Sequence, residues 1–255
     1  MPTRFVAVLL TTLLGLVQIA RAEPVEVAVK LASGSEIVSQ RYPATGSLLA
    51  VWITGQYGRV EEEHKAATDL AAAGVETWVT DILSPYFLPL LPSSLNLVPD
   101  RDLGDWLEAL RLRNPGRRIL LIAGGRAASL VLRGVHAWRA QYAADAAGFV
   151  RGAVLLFPLL YQELLPGQDP DYDPVVAETR MDLVILQPRS SAGYWWRDRL
   201  KQVLESAGSR VRLDVLPGLR DGFYERSDIN TQEVAAGTHL GQILLDGLRP
   251  WIEKP

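Results

Sequence analysis

The chain has 255 residues, of which 48% are hydrophobic and 22% charged; its formal net charge is −3 and it contains no cysteine. These values predict one globular domain, and they exclude disulfides, a thiol nucleophile, thiolate metal sites and a lipid-modified N-terminal cysteine. Because nucleic-acid binding needs clustered Lys and Arg, we also expect no nucleic-acid partner for this mildly acidic chain.

The first 22 residues have the layout of a cleaved secretory signal. Arg4 precedes an apolar run from Phe5 to Leu16, and the small-x-small pattern Ala20-Arg21-Ala22 follows. The run is shorter than the roughly 20 apolar residues of a membrane-spanning helix, and this favours a cleaved signal over the alternative, an uncleaved anchor helix. We therefore expect an exported protein, periplasmic or secreted, whose domain covers residues 23–255 without a membrane span after signal cleavage.

Strands and helices alternate along the rest of the sequence. Residues 25–42 alternate apolar and polar side chains around ASGS, which predicts an antiparallel hairpin. Six apolar runs predict further strands, and these are residues 48–53, 75–82, 118–123, 152–157, 182–187 and 211–216. Helical patterns separate most of them, at 60–74, 101–116 and 195–208, and a last helix is expected within 231–253.

Strands that are apolar throughout are typical of parallel sheets covered on both faces. We predict an α/β fold with a mostly parallel sheet of about eight strands, the first two antiparallel, and helices on both faces. Two long proline-rich loops, 84–100 and 158–180, leave the carboxyl ends of strands. Ligands bind at that edge of open α/β sheets, so we place the candidate site there.

Two segments resemble motifs of the α/β-hydrolase superfamily. They are LLIAGGRAASLVL, residues 120–132, and LPGLRDGFY, residues 216–224. In that family a nucleophile elbow G-x-S-x-G joins a strand to a helix, and the catalytic histidine follows the last strand in a context such as P-G-x-x-H-G-F. The resemblance extends from about Val25 to Trp251 and implies an α/β-hydrolase-like fold.

The reactive residues of that family are missing from the matching positions. Gly125 stands where the serine is expected and Asp221 where the histidine is expected. The usual place of the triad acid offers Arg189, Ser190 and Ser191 instead. A carboxylate with an ordinary pKa of about 4 is a weak general base at neutral pH. We therefore predict loss of the serine mechanism, with no catalytic residue and no cofactor.

The same turn still supplies groups that bind anions. By the resemblance, the oxyanion hole would use backbone N–H groups of Arg126 and of a residue near Gln56 or Tyr57. Such donors beside a helix N-terminus bind carboxylates without catalysis. We predict that a small molecule or a protein partner in the cell envelope binds there, at a site that includes Gln56, Tyr57, Arg126, Tyr161, Arg189, Trp195 and Phe223. We also expect Asp221 to form an ion pair with Arg126 or a neighbouring arginine.

Other functions stay open at this point. A serine esterase, thioesterase or peptidase would need an unaligned nucleophile such as Ser129 or Ser190, with His64, His136 or His239 within hydrogen-bond reach. A hydrolase that uses a tyrosine or a carboxylate as its nucleophile is a further alternative. A structural subunit of an envelope complex would present a large apolar patch on its helices. The histidine and acid spacings match no zinc or calcium motif, so we predict no metal site.

Overall fold

The computed structural model describes residues 23–142, 148–163 and 168–253. The expected signal segment, residues 1–22, lies outside the described residues. Within the part of the chain that is described, no helix combines the length and the apolar character needed to cross a membrane.

A central sheet of eight strands organises the domain. The strands of the chain are β1 (Val25–Lys30), β2 (Glu36–Tyr42), β3 (Leu48–Ile53), β4 (Glu76–Asp81), β5 (Arg118–Gly124), β6 (Val150–Leu156), β7 (Tyr161–Glu163), β8 (Asp171–Tyr172), β9 (Asp182–Pro188) and β10 (Arg210–Leu216). The sheet order is β1-β2-β4-β3-β5-β6-β9-β10, and β7 pairs with β8 separately. β1 and β2 are antiparallel and the other six strands are parallel, which confirms the predicted fold.

Helices cover both faces of this sheet. They are α1 (Glu61–Ala72), α2 (Asp100–Arg113), α3 (Ala127–Tyr142), α4 (Ala192–Ser206), α5 (Thr231–Thr238) and α6 (Leu240–Ile252). On one face α2, α3 and α4 bury Trp106, Trp138 and Leu204, and on the other α1 and α6 bury Leu70 and Leu244. Because both faces are covered, the parallel strands need apolar side chains in both directions.

Two elements differ from the prediction. The loop expected at 158–180 contains the short antiparallel pair β7–β8 and a single 3₁₀ turn at Pro174–Glu178. α4 begins at Ala192, three residues before the predicted start. The Ser191 hydroxyl accepts a hydrogen bond from the Tyr194 N–H at 3.2 Å, and this cap fixes the earlier start.

Candidate functional site

The turn between β5 and α3 forms a sharp elbow. Gly125 has a φ of +53°, a backbone conformation that favours glycine. Its N–H donates to the Leu156 carbonyl at 3.0 Å, and its own carbonyl accepts from the Leu159 N–H at 3.0 Å. A Cβ at Gly125 would lie 3.6 Å from the Phe157 ring, which is ordinary contact distance. Space alone therefore does not exclude a serine at this position.

The preceding residue, by contrast, has little room for a side chain. A Cβ at Gly124 would lie 3.0 Å from both the Phe157 ring and the Tyr224 hydroxyl. Phe157 and Tyr224 form an aromatic cluster with Phe223, with ring centroids 5.2 to 6.0 Å apart. Phe223, which we expected at the ligand site, is 0% exposed and belongs to the core beneath the elbow. This packing holds the elbow in place.

A cleft of about 620 Å³ opens beside the elbow, along one face of α3. Ser129, Arg133 and His136 line it from α3, and their spacings of four and three residues place them on one helix face. Both long loops contribute, the first through Asn96 and the second through residues 159–162 and 173–178. The cleft therefore lies at the carboxyl edge of the sheet, where ligands bind in open α/β sheets.

The polar side chains that α3 turns to the cleft are paired across it. The Ser129 hydroxyl donates to Asp173 Oδ2 at 2.6 Å. Arg133 donates to Asp100 Oδ1 at 2.6 Å and to the Val98 carbonyl at 2.7 Å. His136 Nδ1 lies 3.3 Å from Glu178 Oε2. These contacts hold the walls of the cleft together.

Arg126 is the exception. This half-buried residue lines the cleft, yet its guanidinium has no hydrogen bond or ion pair with another described residue. Its backbone N–H, at the start of α3, also lacks an acceptor in the described part of the chain, as does that of Gln56 after β3. Arg126 thus offers both a charge and a backbone donor to a ligand.

Tyr161 lines the cleft, and its hydroxyl is affected by the charges of both Asp221 and Arg126. Burial raises the pKa of the Tyr161 hydroxyl; the negative charge of Asp221 also raises it, and the positive charge of Arg126 lowers it. Arg126 and Asp221 are therefore both close enough to act on this hydroxyl. Of the predicted ligand residues, Arg126 and Tyr161 line the same cleft.

Asp221 is half-buried and forms no ion pair with another described residue. Its Oδ1 atom has no hydrogen-bond partner. Burial raises the pKa of the carboxyl to about 6, although a hydrogen bond from the Ser191 hydroxyl and the positive charge of Arg226 both lower it. The predicted ion pair with Arg126 or a neighbouring arginine is therefore wrong for the described residues. With a pKa of about 6, this carboxyl is mostly protonated in more acidic solution.

The neighbouring arginines have other partners. Arg226 pairs with Asp228 at 2.7 Å, and Arg220 pairs with Glu233 at 2.6 Å. The guanidinium of Arg189 lies 5.6 Å from the centre of the Tyr194 ring. These contacts explain why none of the three reaches Asp221.

The other predicted ligand residues do not line the cleft. Gln56 is half-buried, Arg189 is exposed, and Tyr57 and Trp195 are 47% and 79% exposed. They follow different strands at the same edge of the sheet, so sequence position could not show which of them share a cavity. The sequence analysis did not predict Arg133 and Asp173 as lining residues. The four-residue spacing between Ser129 and Arg133 could have placed Arg133 on the same helix face as Ser129.

None of the described histidines is hydrogen-bonded to a candidate serine nucleophile. His64 contacts the Tyr42 hydroxyl, and His239 is exposed at the start of α6. His136 follows Ser129 by seven residues on α3, a separation of about 10 Å along the helix axis. Within the described ranges no serine is hydrogen-bonded to a histidine. The described groups also include no set of three or more metal-ligating side chains that could hold an ion.

Two buried carboxyl groups lie on the other side of the elbow. Glu63 of α1 is 1% exposed, and its Oε1 atom has no partner. Burial and then the nearby Glu225 carboxyl hold the pKa of Glu63 well above its ordinary value. Burial raises the pKa of Glu225 to about 7.

The chain is similar in structure to several solved proteins. No protein-family model and no curated protein matches the chain. A protein described as a dienelactone hydrolase from Klebsiella pneumoniae has a TM-score of 0.61 and 15% identity, covering 89% of this chain and 99% of its own. An esterase from Pyrobaculum calidifontis has a TM-score of 0.65 and 13% identity, covering 88% and 83%. A carboxylesterase cloned from a metagenomic library has a TM-score of 0.61 and 14% identity, covering 89% and 90%. The chain therefore has the fold of the α/β hydrolases.

Proposed function

We propose that this protein binds a small carboxylate-bearing molecule in the cleft beside the elbow and does not hydrolyse it by a serine–histidine mechanism. The observation behind the proposal is Arg126, which lines the cleft next to Gly125 and whose guanidinium and backbone N–H have no partner among the described residues. A guanidinium binds a carboxylate through two parallel hydrogen bonds. The adjacent helix N-terminus adds a favourable partial positive charge.

The dimensions of the cleft support a small organic ligand. Its volume of about 620 Å³ lies within the roughly 300 to 1,000 Å³ typical of small-molecule pockets. Leu160, Pro174 and Val175 contribute apolar surface near the polar groups. A ligand with a carboxylate at one end and an apolar body fits this combination.

The missing bases support a binding function over hydrolysis. Activation of a serine requires a neighbouring group that takes its proton and later returns it. Asp221 is a carboxyl where the family has an imidazole, and no hydroxyl replaces the serine at Gly125. Although both groups are missing, the elbow still has a backbone N–H donor at the helix N-terminus, the kind of group that binds an anion in this family.

Hydrolysis by Ser129 is the second candidate. Its hydroxyl lies in the same cleft, 2.6 Å from Asp173. Asp173 would have to take the serine proton and later return it, a role that an imidazole fills in serine hydrolases. A fluorophosphonate, which labels activated serines, separates this candidate from binding.

Titration calorimetry tests the binding proposal with benzoate as the probe and benzyl alcohol as its neutral counterpart. We expect benzoate to bind more tightly than benzyl alcohol, and Arg126→Gln to weaken benzoate binding at least tenfold. Arg199→Gln, which removes an exposed arginine of α4, is the matched control and should leave the affinity unchanged. Equal binding of both probes, or benzoate binding that is indifferent to Arg126, would contradict the proposal.

We further propose that the protein is exported and meets its small-molecule or protein partner in the cell envelope. The layout of residues 1–22 supports this, with Arg4, an apolar run and the Ala20-Arg21-Ala22 pattern in order. Cell fractionation and N-terminal sequencing of the expressed full chain test it. A mature chain that begins at Glu23 outside the cytoplasm is expected, and an unprocessed cytoplasmic chain would overturn it.

A further inference from the structure

A second cavity lies at the opposite edge of the sheet, where β5 and β6 begin. Its volume is about 170 Å³, and residues 46–48 and 73–75 form much of its wall together with Trp251. Arg118 and Arg151 also line it. The six residue steps along β5 separate this edge from the elbow by about 20 Å. The cavity is therefore distinct from the cleft beside Gly125.

The charge in this cavity is unbalanced. Arg118 and Arg151 are its two charged lining residues in the described part of the chain, and no carboxylate lines it. Both arginines are half-buried, and neither has a hydrogen bond or ion pair with another described residue. Two like charges that share a small cavity repel each other, and an anion between them would remove that repulsion.

The carboxylates of this edge are already paired with other arginines. Arg117 donates to Glu76 at 2.7 Å and to the carbonyl oxygens of Gly46 and Leu48 at 2.9 and 3.1 Å. Arg210 donates to Asp182 at 2.7 Å. Arg117 thus fixes one wall of the cavity, while Arg118 next to it remains unpaired.

The backbone of β6 determines where Arg151 lies. Val150 pairs with Ile119 and Gly152 pairs with Leu120, so Arg151 is the extra residue of a β-bulge. Bulges redirect side chains and recur next to binding sites. A Cβ at Gly152 would lie 2.5 Å from the Trp251 ring, so glycine is needed for that ring to pack beside Arg151. Local backbone geometry and packing together hold Arg151 at the cavity.

We propose that this cavity binds a small, doubly charged oxyanion of the phosphate class between Arg118 and Arg151. Guanidinium groups match the oxygens of phosphate through pairs of hydrogen bonds. Two cationic side chains without a carboxylate favour a dianion over a monoanionic carboxylate. The small volume admits the anion or an anionic end group, not the body of a large ligand.

Thermal unfolding tests the proposal with sodium phosphate against sodium chloride at equal ionic strength. Phosphate should raise the melting temperature of the natural protein above the value in chloride, and the Arg118→Gln/Arg151→Gln double variant should lose this increase. Arg199→Gln should keep it, because that arginine is exposed on α4. The same increase in the double variant, or no increase in the natural protein, would overturn the proposal.

Single variants protect the test against misfolding. Arg118→Gln and Arg151→Gln, each checked by circular dichroism, should each weaken phosphate binding at least tenfold in calorimetry. Unchanged affinity in both would overturn the proposal. Methyl phosphate then distinguishes the source of the anion: binding as tight as phosphate supports a phosphomonoester end group, and much weaker binding supports the free ion.

Discussion

Asp221→Asn should stabilise the protein at neutral pH but not in acid. Burial raises the pKa of Asp221 from 3.8 to about 6, and Oδ1 has no partner. Since the folded-state pKa lies above the unfolded value of about 3.9, the stability gained from the protonated carboxyl is fully present below about pH 4 and is lost as the pH rises through about 6. A shift of about two units corresponds to about 3 kcal/mol at full effect. Because the side chain is partly exposed, we expect about 1 to 2 kcal/mol.

Urea unfolding followed by tryptophan fluorescence between pH 4 and pH 8 measures this effect. The difference in unfolding free energy between variant and natural protein isolates Asp221 from the other buried acids. It should be near zero at pH 4 and favour the variant at pH 8. Asp198→Asn, at a side chain 79% exposed, is the control and should change stability by less than about 0.5 kcal/mol at either pH. A variant less stable at pH 8, or a difference independent of pH, would show that Asp221 has a stabilising partner as a carboxylate.

Three further predictions concern the elbow and the two sites. Gly125→Ser should fold, and the positive φ at this position should lower its unfolding free energy by about 1 kcal/mol. It should gain no hydrolysis of p-nitrophenyl acetate, because Asp221 replaces the imidazole that would activate the serine. Turnover above that of the natural protein would contradict this. Glu63→Gln should raise the urea midpoint at pH 8 more than at pH 5, because burial holds the pKa of Glu63 well above its ordinary value; equal effects at both pH values would refute this. Gly152→Ala should lower the urea midpoint, since its Cβ would lie 2.5 Å from both the Asp182 carbonyl and the Trp251 ring; an unchanged midpoint would argue against that packing.

The sequence predicted the sheet well because its strands are long and apolar. β5 and β9, buried on both faces, are apolar runs without the 3.6-residue polar spacing of an amphipathic helix. β7 and β8 were not predicted because they have three and two residues and pair only with each other. Such short pairs depend on the packing of the surrounding loop.

The site was predicted in part. The elbow motif predicted a tight turn at Gly125, because its small residues allow a sharp bend, and the structure has a φ of +53° there. The predicted ion pair of Asp221 failed because Arg226 and Arg220 pair with Asp228 and Glu233 instead. Arg118 and Arg151 gave no sequence signal, since their shared cavity depends on β5 and β6 being neighbours in the sheet.

The intact mass of the purified mature protein after exposure to a fluorophosphonate tests whether the protein lacks an activated serine, as we propose. Our account has no activated serine at the elbow or in the cleft, and it predicts an unchanged mass. A stoichiometric adduct would contradict it. Mapping that adduct to the peptide with Ser129 would establish the second candidate function in its place.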